Sequence, residues 1–451
     1  MEKTRFYAIT VRKFNVLTRH LDWMKKTQEF YNEILGFYYN LYLDVFSGKK
    51  CKDPLGVQTE SQDSASSSRS TDRLASSMDM LRELEKLTIV GRDKKPVPYP
   101  IPWEKVPLYF RRAAINGAVA AARSYLSRNE NDGSYTPLQK ARTAAFSEAV
   151  TFYKGMYRDF SEKEISLKLW DGARWHWSRC RLRSNTAPSE GQMMSPALVL
   201  KKNGAELHIP WKMPVPDGRN AKERIEAEDK ICSVVFTNKD AALVCCIIDA
   251  DGNKESCLFL KGGKEYAHRC RELLEKIEKS RQSAGGGNNP YANGRYWEKL
   301  KNLNDHYSHH FSRQVIDYCV KHGAKILVLP DFENNHIKYI MKKSGKFSPI
   351  QLSTAIRKKL KYKAWQVGIV VLEVQQHHIS SVCAECGGKV KNSGSSFHCE
   401  NGHQGNRYLN SAWNLGKKCR ESFASGKAAP GNTNNPEKTE PETMKQEKTG
   451  G

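Results

Sequence analysis

Cys383-Ala384-Glu385-Cys386 and, further on, Phe397-His398-Cys399-Glu400-Asn401-Gly402-His403 are the stretch whose reading decides the fold. Two cysteines at C-x2-C spacing share one short knuckle, so both thiolates can face one metal ion. Cys399 and His403 stand on a second knuckle about a dozen residues later and complete a tetrahedral Cys3His set, the pattern of structural zinc. His398 is an alternative fourth ligand. Between the knuckles, Gly387-Gly388 and residues 392–396 are turn formers, as the hairpin of a zinc ribbon requires.

The flanks carry a second signal. Downstream runs Gly405-Asn406-Arg407-Tyr408-Leu409-Asn410-Ser411-Ala412-Trp413-Asn414-Leu415; upstream are the basic-to-apolar stretch Leu360 to Val374 and then His378-Ile379-Ser380-Ser381-Val382. Together these resemble the C-terminal half of transposon-encoded TnpB proteins and miniature type V CRISPR effectors, in which a zinc ribbon is inserted into a RuvC nuclease domain just before its last catalytic helix. The resemblance implies an α+β multidomain protein with a helical recognition lobe, a small β-barrel wedge domain and an RNase H-like (RuvC) α/β domain carrying the ribbon. The expected segments are 1–55 for the N-terminal wedge strand and first recognition helix, 56–80 for a Ser-rich flexible piece, and 81–160 for the helical lobe. The wedge barrel follows over 161–228, the RuvC-like domain over 229–377, the ribbon over 378–404, the last RuvC helix over 405–423 and a disordered tail over 424–451.

The chain has 451 residues, enough for two or three domains, and 73 Lys and Arg against 49 Asp and Glu give a formal net charge of +24. An excess of that size points to a polyanion, because each neutralised phosphate releases counterions. No apolar run reaches transmembrane length and no signal peptide opens the chain, so a soluble cytoplasmic protein, nucleoid-associated when bound to its target, is expected. The remaining cysteines, among them Cys180, Cys245, Cys246 and Cys319, lack framework spacing and read as reduced thiols.

Along the chain, Arg5 to Val11 reads as a strand, and Leu21, Met24, Tyr31, Leu35, Tyr38 and Tyr42 recur at helical spacing. Helices are expected from Pro107 and over Lys140 to Lys154. Ile165–Trp170 with Trp175–Leu182, and Ala197–Lys201 with Glu206–Pro210, read as hairpins. Ser233–Phe236 and Ala241–Ile248 are apolar enough to be buried neighbouring strands, and Lys325–Leu329 reads as a central strand. The nucleic-acid contacts expected are Arg111 and Arg112 in the first helical section and Arg174, Trp175, Arg179 and Arg181 in the first hairpin, with Trp177 and Arg183 beside them. Arg357, Lys358, Lys361 and Lys363 on the helix over Pro349 to Val367, and Arg407, complete the set.

A RuvC-type nuclease cuts with two divalent ions held by carboxylates on adjacent strands and a final helix. The family's last motif reads D-x-D-x-N-A-A-x-N, and here it reads Asn406-x-Tyr408-x-Asn410-Ser411-Ala412-x-Asn414. Counting along the resemblance, the first acid falls on Phe236, the second on Pro330 and the third on Asn406 or Tyr408. Asp331 is the last aspartate in the chain, so none after it can restore the third. A displaced set of Asp249, Asp331 and Glu333 is the alternative, although Asp249 and Asp251 also fit an Asp-x-Asp-Gly turn. The expectation is a catalytically inactive, RNA-guided, sequence-specific DNA-binding protein that acts by target occupancy, through transcriptional repression or recruitment. Its cofactor would be structural zinc, without catalytic magnesium. Its partners would be a guide RNA, a double-stranded DNA target with a short flanking motif, and a recruited protein or second copy of itself. Two other readings stay open: an active guided endonuclease, and a zinc-ribbon DNA-binding protein needing no RNA.

Overall fold

The computed structural model describes residues 6–46, 77–91, 94–132, 149–183, 185–202, 204–283, 293–331 and 349–424. Two compact units divide them. Ile9–Met213 builds one, and the chain from Pro214 onward, with the residues up to Ala8, builds the other. The Ser-rich segment, Glu333, the Gly285–Pro290 break and the tail after Ala424 lie outside the described residues.

In the first unit, β1 (Tyr7–Leu17) is followed by α1 (Leu21–Phe46), α2 (Ser77–Thr88) and α3 (Leu108–Asp132). Of the stripe read from the sequence, Met24, Tyr31, Leu35, Tyr38 and Tyr42 lie in the core and Leu21 is half-buried against it; Ile34 joins them. Tyr31 clamps it to α3 by donating its hydroxyl to the Ala113 carbonyl at 3.0 Å. Seven further strands follow, β2 (Ala149–Thr151), β3 (Tyr157–Arg158), β4 (Glu164–Trp170), β5 (Trp175–Arg183), β6 (Gln192–Met193), β7 (Ala197–Lys201) and β8 (Gly204–Pro214). They join β1 in an eight-stranded sheet of order β2-β7-β8-β1-β5-β4-β3, with β6 on β8.

Two expectations change here. Of the helix read over 140–154, residues 140–148 lie outside the described set, and Ala149–Thr151 is a strand paired with β7. The β-branched Val150 and Thr151 suit that pairing better than a helix. The barrel is an open path: among the described residues no ladder joins β3 back to β2.

The β4–β5 turn is held by one carboxylate. Asp171 accepts from the backbone N–H groups of Ala173 and Arg174 at 2.7 and 2.6 Å, and meets His176 Nε2 at 2.8 Å. Donation by the Arg174 and then the Ala173 amide pulls its pKa down to about 2. A depressed acid adds stability that is fully present above the unfolded value, about 3.9, and lost as pH falls through the folded one. Asp171→Asn should therefore cost stability at neutral pH but little near pH 2. Denaturant unfolding of both proteins at the two pH values checks this; an equal difference at both would contradict it.

The second unit opens with α4 (Ala221–Glu226), capped by a reciprocal Asn220–Glu223 box. Its strands β9 (Ile231–Phe236), β10 (Leu243–Ile248) and β11 (Lys254–Leu260) form an antiparallel meander. After α5 (Gly263–Ser283) and α6 (Gly294–Lys321), β12 (Ile326–Asp331) lies parallel to β9; after a short 3-10 turn and α7 (Ser353–Gln366), β13 (Val370–Gln375) lies parallel to β12. The order is β11-β10-β9-β12-β13. A second, three-stranded sheet, β14 (Val390–Ser393), β15 (Ser396–Cys399) and β16 (Gln404–Asn406), precedes α8 (Arg407–Ala424).

The five-stranded sheet is covered on both faces, which is why β9 and β10 read as continuous apolar runs. Cys232, Val234, Leu327 and Leu329 face α5, α6 and α7; Ile231, Val235, Ile326 and Val328 face α4 and α8. Ser233, buried in the run, donates its hydroxyl to the Ala412 carbonyl of α8. Gly416 permits the close approach, since a Cβ there would meet Ile248 Cδ1 at 2.9 Å.

The boundary between units falls at Met213/Pro214, and Arg224 on α4 is anchored within the second unit. Its side chain is fully buried and donates to the carbonyls of Asp217, Arg219, Lys325 and Gly368, between 2.8 and 3.0 Å.

Candidate functional site

Strand alternation decides what faces what at the carboxyl ends of β9 and β12. Phe236 packs against the cluster under α5–α7, whereas Val235 packs with Ala412 and Leu415 of α8. On β12 the α8 face carries Ile326 and Val328, and by alternation Pro330. Continuing the register Val328↔Ser233 sets Pro330 beside Val235. Val235, one residue before the expected Phe236, shares a face with Pro330 and α8, whereas Phe236 is turned to the opposite face. In a strand one residue reverses the face.

These strand ends and α8 enclose a cleft of about 600 Å³. Its walls include Val235, Phe236, Asp331, His377, Arg407 and Tyr408. Asp331 is the one acidic side chain among the described residues lining it. Asn406 caps α8, its Oδ1 accepting from the amides of Tyr408 and Leu409 at 2.9 and 3.2 Å. The Arg407 guanidinium lies 4.7 Å from the centre of the Tyr408 ring.

Asp249 is elsewhere. Ile248 pairs with Ile231 at the amino end of β9, while Leu243 pairs with Phe236 at the carboxyl end. Asp249 therefore stands roughly 17 Å from the cleft, five residues at about 3.4 Å each. It serves the β10–β11 turn, accepting from Asn253 N at 2.7 Å and from Asn253 Nδ2 at 3.3 Å. A carboxylate set joining Asp249 to Asp331 is ruled out by that separation.

Cys383, Cys386, Cys399 and His403 converge, with one ligand atom from each within 4.8 Å of the others. His398, exposed on β15, is not in the group. The donor set fits zinc. His403 Nδ1 is buried without a hydrogen-bond partner while Nε2 meets Glu385 at 3.3 Å, the arrangement of a ligating ring oriented from outside. Donation from Asn401 Nδ2, at 3.3 Å, is the largest influence drawing the Cys386 thiol down to about 6, toward the thiolate a metal needs.

The asparagines of the last motif act on this knuckle. Asn410 accepts from the Ala384 amide at 2.8 Å and donates to the Val382 carbonyl at 2.7 Å; Asn414 donates to Ile379 and Val382. They bolt the first knuckle to α8.

Most of the expected nucleic-acid contacts are occupied within the fold. Arg111 and Arg112 both bind Glu85, at 3.2 and 2.9 Å, and join α3 to α2. Trp175 belongs to the core, packed on Phe30, Phe110 and Trp170, with its indole N–H on the Lys105 carbonyl. Arg357 and Lys361 share Glu373, and Lys363 is drawn down to about 8, chiefly by burial, while donating to His309 O and Ser312 Oγ. Of that helix's set, Lys358 alone is exposed. Arg174, Arg179 and Arg181 are exposed, and Arg407 lines the cleft.

Fold and sites thus define a mixed α+β protein with several sheets, an acid-poor cleft at a strand-end junction and a Cys3His cluster able to hold zinc. Residues 354–415 match the family model described as Cas12f1-like, TNB domain, and residues 8–171 match that of the Aq_aa04 family. The CRISPR-associated endodeoxyribonuclease Cas12f1 of Sulfoacidibacillus thermotolerans is 28% identical over 90 residues, which is 20% of this chain and 20% of that protein. The chain thus matches a fifth of the length of this curated relative. A solved Cas12f1–sgRNA–target DNA complex superposes with a TM-score of 0.56 at 13% identity, over 88% of this chain and 83% of that one. The mini-RNA-guided endonuclease CRISPR-Cas_phi3 gives 0.50 at 9% identity, over 92% of each. Over residues 354–415 the chain is thus similar to the Cas12f1-like TNB domain, and its fold is similar to those of the two solved miniature effectors. Among the described residues no helix is long and apolar enough to cross a membrane.

Proposed function

We propose that this is an RNA-guided DNA-binding protein whose RuvC-like nuclease site is dismantled, so that it acts by occupying its target, repressing transcription or recruiting another protein. The observation that carries the reading is the acid-poor cleft. The positions read for the family's acids, Phe236 or its neighbour Val235, Pro330, and Asn406 or Tyr408, carry no carboxylate. Two-metal catalysis needs ions about 3.5–4 Å apart bridged by convergent carboxylates, and Asp331, the one acid among the described residues lining the cleft, cannot bridge a pair by itself. The rival displaced set loses its support in the distance of Asp249 from the cleft. Removing clustered acids also removes their mutual repulsion, so this sheet needs no metal to stay folded.

In this reading β9–β13 with α4–α8 is the RuvC-like domain, and residues 378–404 are its zinc ribbon. The helices of the first unit are the recognition lobe and its sheet is the wedge domain. Zinc held by Cys383, Cys386, Cys399 and His403 would supply structure, not chemistry. The guide RNA would read the target by base pairing, and the protein a short flanking motif and the heteroduplex backbone. The test is to purify the protein with its RNA, sequence that RNA and measure binding to matched and unmatched duplexes. The reading expects an RNA of discrete length and a preference for the matched duplex of about a thousandfold or more, the span of specific over nonspecific binding. Equal affinity for both duplexes would overturn it.

A further inference from the structure

On the outer face of the first unit's sheet, neighbouring strands bring together basic residues that lie far apart in sequence. Along β5 the buried positions are Ser178, Cys180 and Leu182, so Trp177, Arg179, Arg181 and Arg183 project to the other side, and all four are exposed. The same-face neighbours follow from the register. Lys168 lies opposite Trp177, Ser166 opposite Arg179, and Glu164 opposite Arg181 on β4; Leu17 lies opposite Arg181 and Asn15 opposite Arg183 on β1. Arg158 on β3 pairs with Ser166, and its guanidinium lies over the Trp177 ring at 4.2 Å. Lys13, exposed on β1, extends the row.

The face carries six cations, Lys13, Arg158, Lys168, Arg179, Arg181 and Arg183, against two acids, Asp159 and Glu164. Asp159 meets Arg158 at 3.2 Å and Glu164 meets Arg179. Both contacts are solvent-exposed; Arg179 keeps 73% of its side chain accessible and Arg158 55%. Exposed pairs of this kind are weak and readily exchanged for another anion. Three arginines two residues apart on one strand repeat every ~7 Å along a straight line. This suits an extended polyanion with evenly spaced charges better than a folded acidic protein surface. An exposed indole already stacked on a guanidinium is the pairing on which unstacked bases lie.

We infer that this face, centred on Trp177, Arg179, Arg181 and Arg183, is a track for a single-stranded polynucleotide, with the arginines on phosphates and Trp177 against a base. The inference deepens the guided-binding reading by giving one strand a path on the protein. The strand is guide RNA or displaced DNA, two sources of the same backbone chemistry.

The test uses the full chain and fluorescently labelled 20-nucleotide single strands of RNA and of DNA, titrated by anisotropy across a salt series. The triple variant Arg179→Ala/Arg181→Ala/Arg183→Ala should lose about 10- to 100-fold in affinity. Its log–log salt slope should flatten by about two, three phosphate contacts at roughly 0.7 each. Trp177→Ala should lose about tenfold with its salt slope unchanged, the mark of a lost stack. Stronger retention of RNA would assign the track to the guide, and stronger retention of DNA to the displaced strand; either result supports it. Unchanged affinity in the triple variant would overturn it, as would polyglutamate displacing the oligonucleotides as well as unlabelled strand does. Arg181→Glu provides a single-site check should the triple variant fold poorly. Failure of guided targeting with these losses intact would sink the functional reading and spare the track; the reverse outcome would sink the track alone.

Discussion

Arg224→Met should destabilise the C-terminal unit by about 3–5 kcal/mol, the range for breaking a buried charged network by removing one partner. The methionine nearly fills the volume but offers no donor. Four carbonyls, of Asp217, Arg219, Lys325 and Gly368, would lose their partner in a site closed to water, and the Asp217 carboxylate would lose a cation 3.3 Å away. Lys325 stands immediately before β12 and Gly368 two residues before β13, so the parallel pair beside the cleft loses its entry anchor. Asp217 faces the rise in pKa that follows loss of a cation, and Arg219, at 2.9 Å, retains it only in part. Arg224→Lys should recover little, because one ammonium cannot span the fan of acceptors. Urea unfolding checks this; a loss below about 1 kcal/mol would mean that water or a rearranged loop satisfies those groups.

The second large effect concerns the metal. Cys383→Ser should abolish stoichiometric zinc and unfold the small sheet β14–β15–β16, whose only buried apolar neighbours in its own cluster are Phe397 and the two cysteines Cys383 and Cys399. So small a core cannot offset the entropy of ordering its chain, and structural zinc sites of this kind couple metal affinity directly to folding. Because Asn410 and Asn414 fasten the knuckle to α8, the damage should spread into that helix and be visible as raised amide exchange from Arg407 to Leu415. His398→Ala should leave metal content at one per chain, whereas His403→Ala should lower it. Elemental analysis separates the two, and zinc loss in the His398 variant would reverse the ligand assignment.

Local chemistry made much of this legible from sequence. The Cys3His spacing named four side chains that converge, and the apolar runs at Ile231–Phe236 and Leu243–Ile248 could be little other than strands covered on both faces. The Asp249 turn announced itself through Asp-x-Asp-Gly. What failed depended on phase or on distant partners. Alternation is invisible in a run that is apolar on both faces, so Val235 and Phe236 could not be told apart. In the β4–β5 hairpin Trp175 and the exposed Trp177 are two residues apart and of like phase, so only the packing of Trp175 on Phe30, Phe110 and Trp170 sets them apart. The charges on α7 looked available because Glu373 is sixteen residues from Arg357 in sequence, and only the β13 packing brings them together. Arg224 gave no signal at all, since its acceptors are backbone carbonyls up to 144 residues away.

The central claim is that the protein keeps its target and leaves it whole. The most direct measurement follows binding and strand integrity together, using purified protein–RNA complex and a matched, motif-bearing duplex in magnesium and then in manganese. The account predicts a stable shifted complex with both strands full length, unchanged in Asp249→Ala and in Asp331→Ala. It also predicts that Phe236→Asp, placed on the wrong face of β9, does not bring cleavage. Metal-dependent cutting by the unaltered protein, abolished by Asp331→Ala, would contradict the account and make the cleft a working nuclease site.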